Sequence, residues 1–458
     1  MSQIVTDFVS CQNQIDLFFL NQRIALLLKQ SNIVKKFGVS PVAIMRFIFS
    51  LVFTGKNMYR YLQNPEASSD GGKDIMYRFL NSVTANWRKF LHLLSASVIK
   101  EQILPLTSDK TPKVFIVDDS LYDRNRSKKV ELLARVFDHN LRRFVRGFRL
   151  LTLGWSDGTT YLPVSFSLLS SSKEKNQLCP MRKDIDKRTN GFKRRRESIR
   201  KSTDVLAELV AQAKAAGIDA DYLLFDSWFS FPSTIIRLLQ EKMHVVCMLK
   251  AMKTTYGYQG KQMTLNALYK SLRKKSGRAK VLASCVVTLG TAADGSAIMS
   301  KIVFVRDRSS KNWLALLSTD VDLADEEIIT LYKRRWDIEV FFKMTKSFLN
   351  LAKEYQSRSY DALVAHTTIV FTRYIMLATS QRTAKDPRTL GTLFHAGCDE
   401  LRQVSFAEAL AVLLGHFQEL LKGIPASVTV KIQALLDSFM AGLPVVMQRT
   451  LLIPSCKL

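Results

Sequence analysis

Val114-Phe115-Ile116-Val117-Asp118-Asp119-Ser120 is the stretch on which the fold turns. Four β-branched or aromatic residues run without a polar break, as in a central strand buried on both faces, and the run stops in two acids and a serine. A second short run, Tyr222-Leu223-Leu224-Phe225, also stops in an acid, Asp226. Between them, Phe148–Trp155 and Thr160–Leu168 flank Ser156-Asp157-Gly158-Thr159, and Asp-Gly between two apolar runs predicts a hairpin. A helix is predicted from about Thr203 to Ala215. Strand, hairpin, helix and strand, with acids at strand ends, predict an α/β fold: a mixed sheet flanked by helices.

Outward from this core, Val281–Leu289, Ser300–Arg306 and Trp313–Ser318 read as strands, separated by the turns Gly290–Ser296 and Asp307–Lys311. They predict a β-rich insertion, closed by a long helix that starts near Asp322–Glu326. The ends of the chain read as helical, through Ile15–Leu28, Val42–Leu62 and Trp87–Ile103 before the core and Phe406–Leu421 after it. Ser40-Pro41 has the form of a helix start, with a capping serine and a first-turn proline.

The closing helix carries Tyr332, Arg335, Glu339 and Lys346 at offsets 0, 3, 7 and 14. At about 100° per residue they fall within an arc of roughly 60°. Leu331, Ile338, Phe341, Phe348 and Leu349 take the opposite side, a stripe for packing on a core. A lone carboxylate is thus placed among cations on one rigid face. A solvated face stitched by ion pairs has the same spacing.

Charge points to the partner. The 458 residues hold 67 Lys and Arg against 40 Asp and Glu, a net charge of +27 with pI near 9.9. Such an excess repels itself and is offset by a polyanion, of which nucleic acid is the default. The charge is spread along the chain, which argues against one amphipathic membrane anchor. The most apolar stretches, Ala43–Phe53 and Leu363–Ala378, are shorter than a membrane span and broken by Arg46 and Arg373. The first residues, MSQIVTDFVSCQNQ, lack the order of a signal peptide. Six scattered cysteines, Cys11, Cys179, Cys247, Cys285, Cys398 and Cys456, include no CxxC pair and read as reduced thiols. A cytoplasmic, nucleoid-associated protein with no membrane contact is expected.

Asp118, Asp226 and Glu339 make a set. Three convergent carboxylates repel one another unless cations lie between them, and their hard oxygens suit Mg²⁺ or Mn²⁺. Two such ions about 3.5–4 Å apart activate an attacking oxygen and stabilise a leaving one in phosphodiester displacement. With only six histidines, none in these motifs, metal chemistry is favoured over imidazole bases.

These residues resemble the DDE transposases of bacterial insertion sequences, and within them the cut-and-paste group marked by Tyr-x2-Arg-x3-Glu-x6-Lys (the insertion sequence four family). Tyr332, Arg335, Glu339 and Lys346 match that signature at every spacing. The resemblance spans roughly residues 110–350 and includes Asp118-Asp119-Ser120 and Asp226 with Phe231 five residues on. Trp228 departs from it, standing where the family has a small residue.

The resemblance implies a ribonuclease-H-like fold, with the β-rich insertion lying between the second Asp and the Glu. The chain is thus expected to divide into a core of 108–247 and 320–355, an insertion of 248–319, and helical regions at 1–107 and 356–458, read from their periodicity and candidates for DNA-end binding and dimerisation. It implies Asp118, Asp226 and Glu339 as the catalytic metal ligands, with Asp118 preferred to Asp119 because the family places the acid first. Alternation does not separate those two, since both strand faces are apolar. Relatives that cut through a DNA hairpin stack a Trp of the insertion on a flipped base, and Trp313 stands in the matching strand; a core strand residue is the other reading. Tyr332, Arg335 and Lys346 are expected to contact the DNA end.

Arg182–Lys201 holds ten Lys or Arg against three acids, and Arg194 and Arg195 within it are expected to grip DNA phosphates. Arg124, Arg126, Lys128 and Lys129, followed by Arg142, Arg143, Arg146 and Arg149, trace a second basic path from the first acid. The expected activity is excision and insertion of a mobile element, with double-stranded DNA ends and target as partners and a homodimer in the DNA complex. The rivals are a nuclease on this fold that cuts without joining, and a non-catalytic DNA-binding protein descended from a transposase.

Overall fold

Eleven strands join in one sheet in the computed structural model, which describes residues 13–443 apart from 59–60, 62, 64–72, 139–140, 277–278, 293, 308–311, 355–356 and 422–425. The expectations for the first residues, Cys11, Leu62, the tip of each insertion turn and Cys456 lie outside the described residues. Among those described, the chain begins with α1 (Gln14–Asn21), α2 (Ile24–Gln30), α3 (Pro41–Ser50), α4 (Lys73–Leu80) and α5 (Trp87–Val98). The apolar stripe of Ile15–Leu28 is divided because Arg23 adopts a left-handed conformation, φ 50°. Ser40 caps α3 as expected, its Oγ accepting from the Ala43 N–H at 3.3 Å.

The sheet is built around β1 (Val114–Asp123). On one side β2 (Ala134–Asp138), β3 (Arg143–Ser156) and β4 (Tyr161–Leu169) follow antiparallel, with β3 pairing β1, β2 and β4. After α6 (Asn190–Ser198) and α7 (Ser202–Ala215), β5 (Tyr222–Phe225) pairs β1 in parallel. Beyond α8 (Pro232–Gln240), β6 (His244–Leu249) pairs β5 in parallel. The order β4-β3-β1-β5-β6, flanked by helices, is a ribonuclease-H-like sheet. Val114–Val117 are fully buried between covered faces, which is why they read as an unbroken apolar run. At the β3–β4 turn, Gly158 has φ +88°, and a Cβ there would meet the Arg334 guanidinium at 2.9 Å.

The β-rich segment extends this same sheet. It comprises β7 (Thr255–Tyr258), β8 (Lys261–Thr264), α9 (Leu265–Ser271), β9 (Val281–Thr291), β10 (Ala297–Arg306) and β11 (Trp313–Ser318). Pairing of β11 with β6 grafts it onto the core edge, giving the continuous order β6-β11-β10-β9-β7-β8.

The long closing helix is a correction: the chain forms α10 (Asp325–Lys333) and α11 (Trp336–Ser347), with Arg334 and Arg335 between them. Their N–H groups donate to carbonyls three residues back, at Leu331 and Tyr332, so the helix tightens for one turn. Arg334 is drawn aside to donate to the Pro112 carbonyl. Both residues keep right-handed helical dihedrals, so the side-chain face continues across the break. Leu331, Ile338, Phe341 and Leu349 are buried, as the apolar stripe requires.

Beyond lie α12 (Tyr360–Thr383), α13 (Leu390–Leu421) and α14 (Ala426–Ala441). Helix α12 is the one described helix long and apolar enough to cross a membrane, and its apolar window is wholly buried in the protein. It packs on α3, α4, α5, α11, α13 and β4. The interruption at Arg373 has a purpose: this fully buried guanidinium donates to the Ile48, Phe49 and Leu349 carbonyls and to Glu354. It thereby joins the end of α3 to the turn after α11.

Arg195 is likewise buried, and the expectation of a DNA contact there fails. Its five N–H donors go to Glu131 twice, Asp361 twice and the Gly191 carbonyl, leaving none for a phosphate. Its neighbour Arg194 is less than a quarter exposed and pairs with Glu197 at 2.7 Å. Arg195, helped by Arg194, therefore braces α6 against the core, while Lys193 and Arg196 are exposed. Replacing Arg195 by Met is expected to destabilise the protein by about 3–5 kcal/mol, because Glu131 and Asp361 would be left buried without a counter-charge. Chemical denaturation measures this; a loss within about 1 kcal/mol, typical of a surface ion pair, would contradict it.

Candidate active site

Strand register brings the first two acids together. Val114, Phe115 and Ile116 of β1 lie beside Tyr222, Leu223 and Leu224 of β5, and the same step carries Asp118 to Asp226. In parallel strands about 4.8 Å apart, residues at matched positions point to the same face. Asp118 shares that face with Ser120, and α11 lies over it: Lys346 Nζ donates to Ser120 Oγ at 2.6 Å, and Arg335 Nη1 reaches Asp118 Oδ2 at 3.5 Å. Arg335 Nη2 also donates to Glu339 Oε1 at 2.5 Å. One guanidinium thus spans the two carboxylates and keeps their oxygens within about 8 Å of each other.

Asp119 points the other way. Its carboxylate pairs with Arg149 Nε at 3.1 Å, and Arg149, the cross-strand partner of Leu121, projects to the same face. The Arg149 guanidinium also lies over the Trp228 ring, 5.6 Å from its centroid. Trp228 fits after Asp226 because its side chain turns outward, half exposed, while its N–H donates to Asp226 Oδ1 at 2.9 Å in a tight turn. The bulk that sets this chain apart from the family pattern leaves the carboxylate in place. The Arg149 clamp escaped the sequence reading; Asp119 and Leu121 falling on the alternate face was the available signal.

Tyr332 is half-buried with its ring beneath Arg335, whose Cζ is 5.9 Å from the centroid. Burial, offset in part by Arg335, raises its phenol pKa well above the usual range. Burial lowers the Lys346 pKa, against the attraction of Asp138, Asp123 and Asp118. Trp313 leaves the same edge of the sheet as Asp226, two strands over, since Phe225 lies beside Cys247, and Cys247 beside Leu317 of β11. It is half-buried against Tyr269 and Phe304, each ring 5.0 Å away.

The donor chemistry suits a hard divalent cation, being carboxylate oxygen throughout. Among the described residues, however, no three acidic, His or Cys side chains close into a metal-binding group. Asp118 and Asp226 adjoin, while Glu339 is held to Arg335. Positive charge is short here: burial, then the Asp226 and Asp119 charges, push the Asp118 pKa up to about 7 despite Arg335 and the Asp119 N–H. A cation beside Asp118 would relieve this, so the residues fit a divalent ion once Glu339 turns toward them.

The raised pKa gives a stability signature. Between the unfolded value near 3.8 and about 7 the folded protein holds a proton that the unfolded chain has released, so stability falls as pH rises through this window. In chelator, Asp118→Asn is expected to be the more stable protein at pH 8, by on the order of 2–4 kcal/mol, with the advantage fading toward pH 4. Denaturation curves across pH check this, and an equal pH slope in both proteins would refute it.

Comparison with known proteins identifies the family. The family profile described as DDE superfamily endonuclease matches residues 49–278, half of the chain, and takes in Asp118 and Asp226. The profile described as transposase DDE domain matches residues 199–376 and takes in Asp226 and Glu339. A search against curated proteins gave no match. With half its length under one profile and the acids distributed across the two, the chain belongs to the DDE superfamily of transposases and endonucleases.

Proposed function

We propose that this protein is a cut-and-paste transposase of the group marked by the Tyr-x2-Arg-x3-Glu-x6-Lys signature, excising and inserting its own element in the bacterial cytoplasm. The observation that carries this reading is the pair of strand-tip carboxylates, Asp118 and Asp226, lying under the helix that presents Glu339. Asp118, Asp226 and Glu339 would hold two divalent ions, Mg²⁺ or in its place Mn²⁺, which when bound activate the attacking oxygen and stabilise the leaving oxygen of a phosphodiester.

The remaining residues bind and orient DNA. Arg335 lies between Asp118 and Glu339, so its guanidinium is the first cation a phosphate at the acids would meet. Lys346, anchored on Ser120 two residues beyond Asp118, would take the next phosphate, and Tyr332 would position the strand through its hydroxyl. Trp313, at the same sheet edge, would stack on a base turned out of the duplex end. One strand would be cut by water at the element end, and the freed 3′-hydroxyl would attack the opposite strand to form a hairpin. The hairpin would be reopened before joining to target DNA, with a homodimer bridging the two inverted-repeat ends.

Glu339→Gln is expected to bind duplex DNA as the native protein does while Mg²⁺-dependent nicking falls about a thousandfold, the several kcal/mol that metal-borne charge stabilisation supplies. Nicking at the native rate would defeat the assignment of Glu339. Mixing the native protein with Mg²⁺, a pre-cut duplex end and a plasmid separates the rivals: joined products mark a transposase, cutting without joining a nuclease, and binding without either a protein that has lost catalysis.

A further inference from the structure

The hairpin of β2 and β3 projects from the sheet beyond the end of β1, and its two faces differ sharply. Cross-strand partners lie on one face, so Arg135 with Arg146 and Phe137 with Phe144 form one side, and Val136 with Val145 the other. The valines are buried and seat the hairpin on the protein. The opposite side is exposed throughout: Phe137 is 37% and Phe144 61% accessible, and both arginines are open to solvent.

That outward face is costly in isolation. Directly opposed like charges destabilise a strand pair, and an exposed aromatic pair, here 5.4 Å apart edge to face, gains little in water. Among the described residues no carboxylate pairs with Arg135 or Arg146, nor with Arg126, Arg142 or Arg143 around them. From Arg124 to Arg149 the chain holds nine Lys or Arg and two acids. In contrast to the inward Arg195, these cations, Arg124 and Arg149 apart, have been left facing out.

The face also lies in line with the acids. Asp118 is opposite Thr152 on β3, and the even-numbered residues of that strand keep to one side without a register shift down to Gly147. Arg146 is six residues further and Phe144 eight, which at about 3.4 Å per residue puts them roughly 20 and 27 Å from Asp118. At about 3.4 Å per base pair, duplex DNA covers that span in some six to eight base pairs.

We infer that the outward face of this hairpin is a second DNA-binding surface, Arg135 and Arg146 holding phosphates of the duplex that runs from the acids while Phe137 and Phe144 lie against its sugars. The inference rests on the transposase reading of the acids and adds to it a contact on the flanking duplex. Arg149, which donates to the Phe137 carbonyl at 3.3 Å and pairs with Asp119, ties the hairpin root to the strand bearing Asp118.

The test is a salt titration of binding to a 40-base-pair duplex of arbitrary sequence. Arg135→Gln with Arg146→Gln should lower the log–log salt slope by about 1.8, at roughly 0.9 per phosphate contact, and weaken binding roughly 10- to 100-fold near 0.1 M salt. Arg135→Lys with Arg146→Lys keeps both charges and should keep the slope, while thermal melting verifies that each variant is folded. An unchanged slope in the glutamine variant, with native protein that binds and nicks, overturns the hairpin surface alone. Native protein that neither binds nor nicks duplex DNA overturns the transposase reading as well. A glutamine variant that changes the oligomeric state of the free protein and leaves the slope alone would make this face a contact between copies, and the inference would fall.

Discussion

Parallel pairing of β1 with β5 is the constraint on which the rest depends. It carries Asp118 level with Asp226, the residue that follows β5, and the buried ladder before them fixes where the two carboxylates meet. Burial and then repulsion from its acidic neighbours work against ionisation of Asp118, and positive charge has to come from elsewhere. Within the chain it comes from Arg335, brought over the site by the tightened turn between α10 and α11. The same guanidinium holds Glu339, so the third acid is placed by its attraction to the cation that offsets the charge of Asp118.

The large positive charge of the chain has two fates. Arg88, Arg195 and Arg373 are buried and hydrogen-bonded to carboxylate or carbonyl partners, joining segments far apart in sequence. Such arginines specify how helices meet the sheet and contribute nothing to an external field. The cations at the outer end of the β2–β3 hairpin, Arg135, Arg142, Arg143 and Arg146, and Arg126 in the loop before it stay outside, without acidic partners among the described residues. A count of basic residues therefore overstates the charge that faces outward.

What the residues alone revealed follows from the range of each interaction. The two strand-tip acids were legible because a strand buried on both faces leaves an unbroken apolar run, and such a run has a visible end. The shared face of Tyr332, Arg335, Glu339 and Lys346 was legible because helical dihedrals persist through the tight turn, although the break itself, set by Arg334 reaching Pro112, was not. Arg195 was misread because its partners, Glu131 and Asp361, lie 64 and 166 residues away, while its neighbours Arg194 and Arg196 have the same chemistry. Strand β2 was missed because Phe137 stands where an outward-facing strand residue is usually polar, which hides the alternation. The insertion strands were legible singly, but their union with the core depends on β6 pairing β11 across the sequence between them.

Asp119 now has a reason to stand beside Asp118. The side chains of consecutive strand residues leave opposite faces, so a second acid at this point cannot join the first in one cluster. It holds Arg149 instead, and Arg149 touches three elements at once: the Asp119 carboxylate on β1, the Phe137 carbonyl on β2 and the Trp228 ring after β5. Any shift of the hairpin would pull on this guanidinium, and through it on the turn that holds Asp226 by its Trp228 N–H. The two faces of one strand thereby divide the work, Asp118 facing Asp226 and Arg335 and Asp119 tying the outlying hairpin to the turn behind it.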